Sequence, residues 1–235
     1  MYDINYTKKV LVYEVFEKEQ SIKIAEERTM KLLKYIGEQF GKPTGLGGNI
    51  STFIMNIMNQ KQYKAVLRKL KVEKNDTILD VGFGNGYLIG KLAKGSNARF
   101  WGIDISSDML KVARRRNQKF IQNGKMNLGL GDISNTDFES DFFDRIYTVN
   151  TVYFWPNIDS ALAEISRILK HGGIFINVIY SKEFLNSIPY ASYGYSKYSK
   201  EELEEHSVRN GFKIIEIFTI KEKKVYCYVL QKNND

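Results

Sequence analysis

The chain has 235 residues, 43% of them hydrophobic and 26% charged, which supplies enough apolar material for a core and excludes a largely disordered chain. A single cysteine, Cys227, excludes an internal disulfide and a cysteine-cluster metal site, and two histidines, His171 and His206, argue against a histidine-based zinc site, so no metal is expected. No apolar run approaches the ~18–20 residues of a membrane span, and Met1–Asn5 lacks the apolar core of a signal peptide, so the expectation is a cytoplasmic protein that does not engage a membrane.

The formal charge of +8 is unevenly spread: residues 1–75 carry 14 Lys/Arg against 8 Asp/Glu. An RNA surface would use such a balance. The lysines alternate with glutamates and form no dense basic run, which reads as a solvated helix face.

In chain order, Glu14 to Phe40 is predicted helical, because Ile22, Ala25, Leu32, Leu33 and Ile36 recur at roughly helical spacing among charges. Gly41-Lys42-Pro43 stops that pattern, and Gly45–Gly48 makes a glycine-rich turn. A second helix is predicted from about Ser51 to Leu70. At Asn75 the texture changes. Thr77–Val81 is a short run rich in β-formers, broken by glycines and followed by a helix from Tyr87 to Lys94. Further strands are predicted at Arg99–Ile103, Met126–Leu130, Arg145–Val149 and Ile174–Ile179. The helices between them are Ser107 to about Ile121 and Ile158–Leu169, and Gly172-Gly173 forms a turn before the fifth strand. Alternating strands and helices imply crossover units and a parallel sheet. A helix near Lys200–Arg209 is stopped by Gly211. The strands Phe212–Ile220 and Val225–Gln231 are then joined by Lys221–Lys224, a connection short enough to demand an antiparallel hairpin. The domain boundary is placed at 75/76.

Four motifs fall at the carboxyl ends of the predicted parallel strands, where open α/β sheets bind ligands. The first is Leu79-Asp80-Val81-Gly82-Phe83-Gly84-Asn85-Gly86, a strand-to-helix loop whose small residues allow a tight turn and close approach of a ligand. Its spacing meets the dinucleotide fingerprint only loosely, and the phosphate loop of nucleotide hydrolases is absent. The second is Asp104, 18 residues beyond Gly86, an acid placed to accept hydrogen bonds from both hydroxyls of a ribose. The third is Gly131-Asp132-Ile133, and the fourth Asn150–Trp155.

Together these residues resemble class I S-adenosylmethionine-dependent methyltransferases over about residues 77–235. The segments that carry the resemblance are LDVGFGNG at 79–86, GID at 102–104, GDI at 131–133, FDRIYTVNTVYFWPN at 143–157 and LKHGG at 169–173. The resemblance implies a Rossmann-like seven-stranded, mostly parallel sheet with a C-terminal antiparallel hairpin, here preceded by an N-terminal helical extension. It implies S-adenosylmethionine as cofactor. By position, Gly82, Gly84 and Gly86 would cradle its methionine part, and Asp80 would orient its amino group. Asp104 would hold the ribose hydroxyls. Ile105 and Met109 would flank adenine, Asp132 would accept from its exocyclic amine, and Ile133 would pack nearby. The backbone of Asn150 would face the amino group. Phe83 stands where many members carry a small residue or cysteine. Alternatives remain at single positions: Asp132 as a helix cap, Met109 as plain core, Asp108 as first-turn dipole complementation. His171, His206 and Cys227 read as structural.

Methyl transfer from a sulfonium needs a base only if the acceptor holds a proton at neutral pH, and no base stands out. Tyr153 and Trp155 are the candidates beside the acceptor, as polar group and aromatic wall, or as plain structural aromatics. The stretch Asn150-Thr151-Val152-Tyr153 departs from the pattern of base-amine methyltransferases of nucleic acids. Two segments are expected to build the acceptor pocket: Gly41–Met58, within a lid formed by 1–75, and Pro189–Tyr198, whose tyrosines suit a flat or cationic acceptor. The expected acceptor is a small molecule and the protein a monomer or homodimer. The alternatives are an RNA-modifying enzyme using the basic first third, and a non-catalytic cofactor-binding protein.

Overall fold

The computed structural model describes residues 27–32, 34–37 and 59–234. Residues 27–32 and 34–37 are helical; the predicted hinge and pocket segment Gly41–Met58 lies outside the described residues. The elements that follow are α1 (Gln60–Lys69), β1 (Thr77–Val81), α2 (Tyr87–Gly95), β2 (Arg99–Asp104), α3 (Ser107–Arg116), α4 (Gln118–Gln122), β3 (Met126–Leu130), β4 (Phe143–Val149), α5 (Ile158–Ile168), β5 (Leu169–Tyr180), α6 (Lys182–Asn186), α7 (Lys200–Arg209), β6 (Phe212–Lys221) and β7 (Val225–Lys232).

The strands form one seven-stranded sheet in the order β3-β2-β1-β4-β5-β7-β6. β1 to β5 pair in parallel, and β7 lies antiparallel between β5 and β6. This is the expected sheet with its terminal hairpin. β1 is buried along its whole length, as a central parallel strand with helices on both faces must be. Its side chains alternate between two cores. Ile78 faces α1, α2 and α3 with Val66, Leu70, Ile89 and Ala113; Leu79 faces α5 and α7 with Leu162, Ile165 and Leu203. Cys227 is fully buried in the first of these cores.

Three local expectations are corrected. The helix predicted to run from Ser107 to about Ile121 is broken at Asn117, whose side-chain amide donates to Gly86 O at 2.9 Å and Ala113 O at 3.0 Å. Pinning the glycine loop takes precedence there over helix continuity. β5 begins at Leu169, ahead of the predicted Ile174, because Leu169 pairs with Phe143 across a register shift that absorbs the His171–Gly173 segment. Asp132 caps no helix: its carboxylate accepts from Ser134 N at 2.8 Å in a local turn.

The strand order reverses between β1 and β4, and ligands of open α/β sheets bind in the crevice that this reversal opens. The tips of β1, β2, β3 and β4 converge there.

Candidate functional site

A cavity of about 230 Å³ lies over that crevice. Every position expected to meet the cofactor lines it except Gly86, which sits one step behind in the packing. The loop after β1 shows why three glycines occur there. Gly82 has φ +74°, and a Cβ on it would stand 2.4 Å from Thr151 Cγ2. Gly84 has φ +54°, and a Cβ there would meet nothing within 4 Å, because it would project into open space. Gly82 therefore serves the close approach of the loop after β4, and Gly84 keeps space clear. Gly86 abuts Ala113 and Asn117 of the α3 end.

Three carboxylates mark the cavity. Asp80, on β1, is buried and accepts from Tyr147 Oη of β4 at 2.7 Å. Burial pushes its carboxyl up to about 8, against the lowering effect of the Tyr147 hydroxyl, and the nearby Asp104 adds to the rise. Asp104, at the tip of β2, accepts from Gly84 N and Ser106 N, each at 2.8 Å. Burial raises its carboxyl too, and those two backbone donors oppose the rise. Asp132 stands exposed at the rim beside Gly131. Among the described residues no lysine or arginine lines the cavity. Met109 is 1% exposed yet borders the space, so it is both core and wall; Ile105 is largely exposed at the rim and Ile133 buried.

A second, smaller cavity of about 50 Å³ adjoins the first. Asn59, Asn150 and Phe154 line both. Asn150 follows β4 in the left-handed region, φ +59°, a conformation that asparagine tolerates better than most residues. Its Nδ2 donates to Asn59 Oδ1 at 3.1 Å, and Tyr180 Oη donates to the same oxygen at 3.2 Å. The rest of this cavity is chiefly aromatic: Tyr153, Tyr180, Phe184, Tyr190 and Tyr195. Tyr195 packs its ring against Tyr153 at 5.8 Å, Phe154 at 4.7 Å and Tyr190 at 6.3 Å. The two acceptor-side candidates thus separate: Tyr153 lines the second cavity, and Trp155 lines the first. Tyr153 is no base. Its hydroxyl is tied to Tyr180 N and lies 3.4 Å from Asn150 Oδ1, and burial pushes its phenol far above the ordinary value.

Several lining residues were not legible as site residues in the sequence. Asn59 and Tyr63 come from the start of α1, and Tyr63 rests its ring 5.8 Å from Tyr87. Tyr180 and Phe184 surround the end of β5, whereas Thr151 and Phe154 belong to the Asn150–Trp155 motif. Helical periodicity already marked the α1 region as one that buries a face, but nothing local shows that its first turn meets a strand end 91 residues away. His171 hydrogen-bonds Asn233 O, and His206 pairs with Asp159, both remote from these cavities.

Among the described residues no helix is long and apolar enough to cross a membrane, and no cluster of His, Cys, Asp and Glu has metal-binding geometry.

Residues 79–177 match the model of a methyltransferase domain family. An uncharacterized methyltransferase of Bacillus subtilis is 32% identical over 125 residues, which cover 53% of this chain and 67% of that protein. Sterol 24-C-methyltransferase of Saccharomyces cerevisiae is 27% identical over 124 residues, and the match spans only 32% of its length. Among solved structures, an S-adenosylmethionine-dependent methyltransferase from Aquifex aeolicus matches with TM-score 0.63 and 18% identity, over 75% of this chain and 93% of that one. Geranyl diphosphate C-methyltransferase from Streptomyces coelicolor, solved with S-adenosylhomocysteine, matches with TM-score 0.64 and 13% identity, over 73% and 75%. Identities this low establish the shared fold and leave the acceptor open. With the strand order, the glycine loop and the acid-lined crevice, the sequence relationship to the Bacillus protein settles the family: the chain belongs to the class I S-adenosylmethionine-dependent methyltransferases.

Proposed function

We propose that the protein transfers a methyl group from S-adenosylmethionine to a small-molecule acceptor, with the first cavity holding the cofactor and the second the acceptor. The observation that carries this reading is the pair of adjoining cavities with opposite chemistry, joined at Asn59 and Asn150. One offers carboxylates and backbone donors; the other offers aromatic walls.

The residues of the first cavity fit the cofactor. Asp80 is a buried carboxylate with no lysine or arginine pairing it among the described residues, so its charged form lacks a counter-ion that an ammonium group would supply. Gly84 leaves its side-chain space free. Asp104 is held rigid by two backbone donors, in an orientation from which its remaining lone pairs can accept from a diol. In this assignment Gly82, Phe83 and Gly84 cradle the methionine part, and Gly86 shapes the turn behind them. Ile105, Met109 and Ile133 enclose the adenine, with Asp132 at its edge, and the Asn150 backbone faces the amino group. When bound, the cofactor supplies an electrophilic methyl group on a sulfonium. The chain's part is to position the acceptor atom and exclude water.

The N-terminal extension, 1–75, is assigned as cover over this site, with 76–235 as the methyltransferase domain. Two contacts support this assignment. A Cβ on Gly37 would approach Tyr190 O to 2.9 Å, so the described N-terminal helix packs on the tyrosine loop. Asn59 fastens the start of α1 to the tips of β4 and β5. α1 itself is the fixed root of the cover, since Val66 and Leu70 are fully buried against the sheet.

The test is direct. The full chain should bind S-adenosylhomocysteine by calorimetry, and Asp104→Ala should weaken it about tenfold or more, because hydrogen bonds to a charged acceptor contribute about 1.5–3 kcal/mol each. Methyl-labelled cofactor should label a small-molecule pool and not RNA. Label in RNA, with steeply salt-dependent RNA binding, would establish the RNA-modifying alternative. Cofactor binding with no acceptor labelled in either pool would favour a cofactor-binding protein.

A further inference from the structure

The second cavity narrows the acceptor's chemistry, on the reading that it is the acceptor site. We infer that the acceptor is an amine that reacts as its neutral free base, and that the aromatic cavity receives the positive charge the methyl group brings.

Among the described residues no lysine, arginine, histidine, cysteine or carboxylate lines this cavity; the titratable groups they place there are four tyrosines. Burial raises the phenols of Tyr153, Tyr180, Tyr190 and Tyr195 above their ordinary values. At neutral pH the lining therefore offers neither a base nor a cation. A phenolate, thiolate or carboxylate acceptor would bring an anion against π faces that repel it, with nothing to pair it. A neutral hydroxyl, thiol or carbon acceptor becomes, on methylation, a cation that must shed a proton, and no lining side chain takes one. The acid-lined first cavity does not fill the gap, because Asp80 is engaged by Tyr147 and lies on the cofactor side.

A tertiary amine that has lost its ammonium proton to water before it enters meets every constraint. The nitrogen lone pair forms the N–CH₃ bond as the S–CH₃ bond breaks, and the electron pair of the broken bond stays on sulfur. The positive charge passes from sulfur to nitrogen, and no proton leaves. A secondary or primary amine follows the same step, and its ammonium product sheds a proton in water after release. The charge arrives in a space lined by Tyr153, Phe154, Tyr180, Tyr190 and Tyr195, and an aromatic lining favours a cation by cation–π attraction. Lys224 is exposed and lies over the Phe184 ring at 5.2 Å without lining the cavity. A volume of about 50 Å³ admits a few heavy atoms, which suits a methylated amino head and not a ring system.

The test compares choline with its uncharged carbon isostere, 3,3-dimethylbutan-1-ol, by calorimetry on the full chain saturated with S-adenosylhomocysteine. Choline should bind about tenfold or more tightly. Tyr195→Leu should erase that preference and Tyr195→Phe should keep it. Tyr190→Leu replaces the first variant should Tyr195→Leu fail to bind S-adenosylhomocysteine. In parallel, 2-(dimethylamino)ethanol with methyl-labelled cofactor should yield labelled choline by mass spectrometry, while catechol and 2-mercaptoethanol should remain unlabelled. Equal binding of cation and isostere, binding of neither, or labelling of the phenol or thiol in place of the amine overturns the inference and leaves the methyl-transfer reading intact. Failure of S-adenosylhomocysteine to bind at all overturns both.

Discussion

In the proposed assignment, Asp80 is the residue at which folding and cofactor binding are set against each other. Its carboxyl is buried under the glycine loop and pushed up to about 8. At pH 6 to 8 it is therefore largely protonated before the cofactor arrives. An ammonium group on the cofactor needs the carboxylate, so binding must release one proton in this range. Each pH unit is worth about 1.36 kcal/mol. Affinity for S-adenosylmethionine should thus rise roughly tenfold from pH 6 to 7 and about 25-fold in all by pH 8. The rise should end there and reverse, because an α-amino group itself loses its proton near about pH 8. Calorimetry in buffers of differing ionisation enthalpy should count about one proton released at pH 6.5. Asp80→Asn has no proton to release, so its affinity should be lower at pH 8 and flat from pH 6 to 7.5. The same residue gives a stability signature without cofactor. A raised folded pKa means stability present below the unfolded value near about 4 and lost as pH rises through about 8. The unliganded Asp80→Asn protein should therefore match wild type near pH 4 and exceed it increasingly up to pH 8 in thermal melts. A wild-type affinity that does not change between pH 6 and 8, or an Asn variant that keeps the slope, refutes the reasoning.

Other outcomes follow from the same geometry. Tyr147→Phe removes the hydrogen bond that lowers the Asp80 carboxyl, so the acid limb of cofactor affinity should move to higher pH. Gly84→Val should abolish cofactor binding while circular dichroism keeps most of its helix signal, because the new side chain fills open space. Gly86→Ala should behave oppositely: its Cβ would stand 2.6 Å from Asn117 Nδ2 and 3.1 Å from Ala113 Cα, so a loss of about 3 kcal/mol in chemical denaturation is expected. Asn59→Ala cuts the tie between α1 and the tips of β4 and β5, and should raise the rate of limited proteolysis ahead of Gln60 while leaving the melting of the sheet nearly unchanged.

What the sequence by itself determined is what depends on neighbours along the chain. The runs of β-formers, the glycine loop at 82–86, the acid that ends β2 and the short link before β7 are local statements. Local sterics and hydrogen bonding are enough to place them. The family resemblance added roles to those same positions. Asn117 shows where local reading fails, since its helical surroundings predict continuity and a hydrogen bond to Gly86, 31 residues away, breaks it. The two-cavity site is a tertiary fact for the same reason. Asn59 meets Asn150 and Tyr180 across separations of 91 and 121 residues, and the aromatic walls come from the loop after β4, the end of β5 and the tyrosine loop. Composition announced many tyrosines. Only packing decided that four of them surround one small space that no charged side chain of the described residues lines, because burial and the pairing of distant strand tips are set by the sheet and not by spacing along the chain.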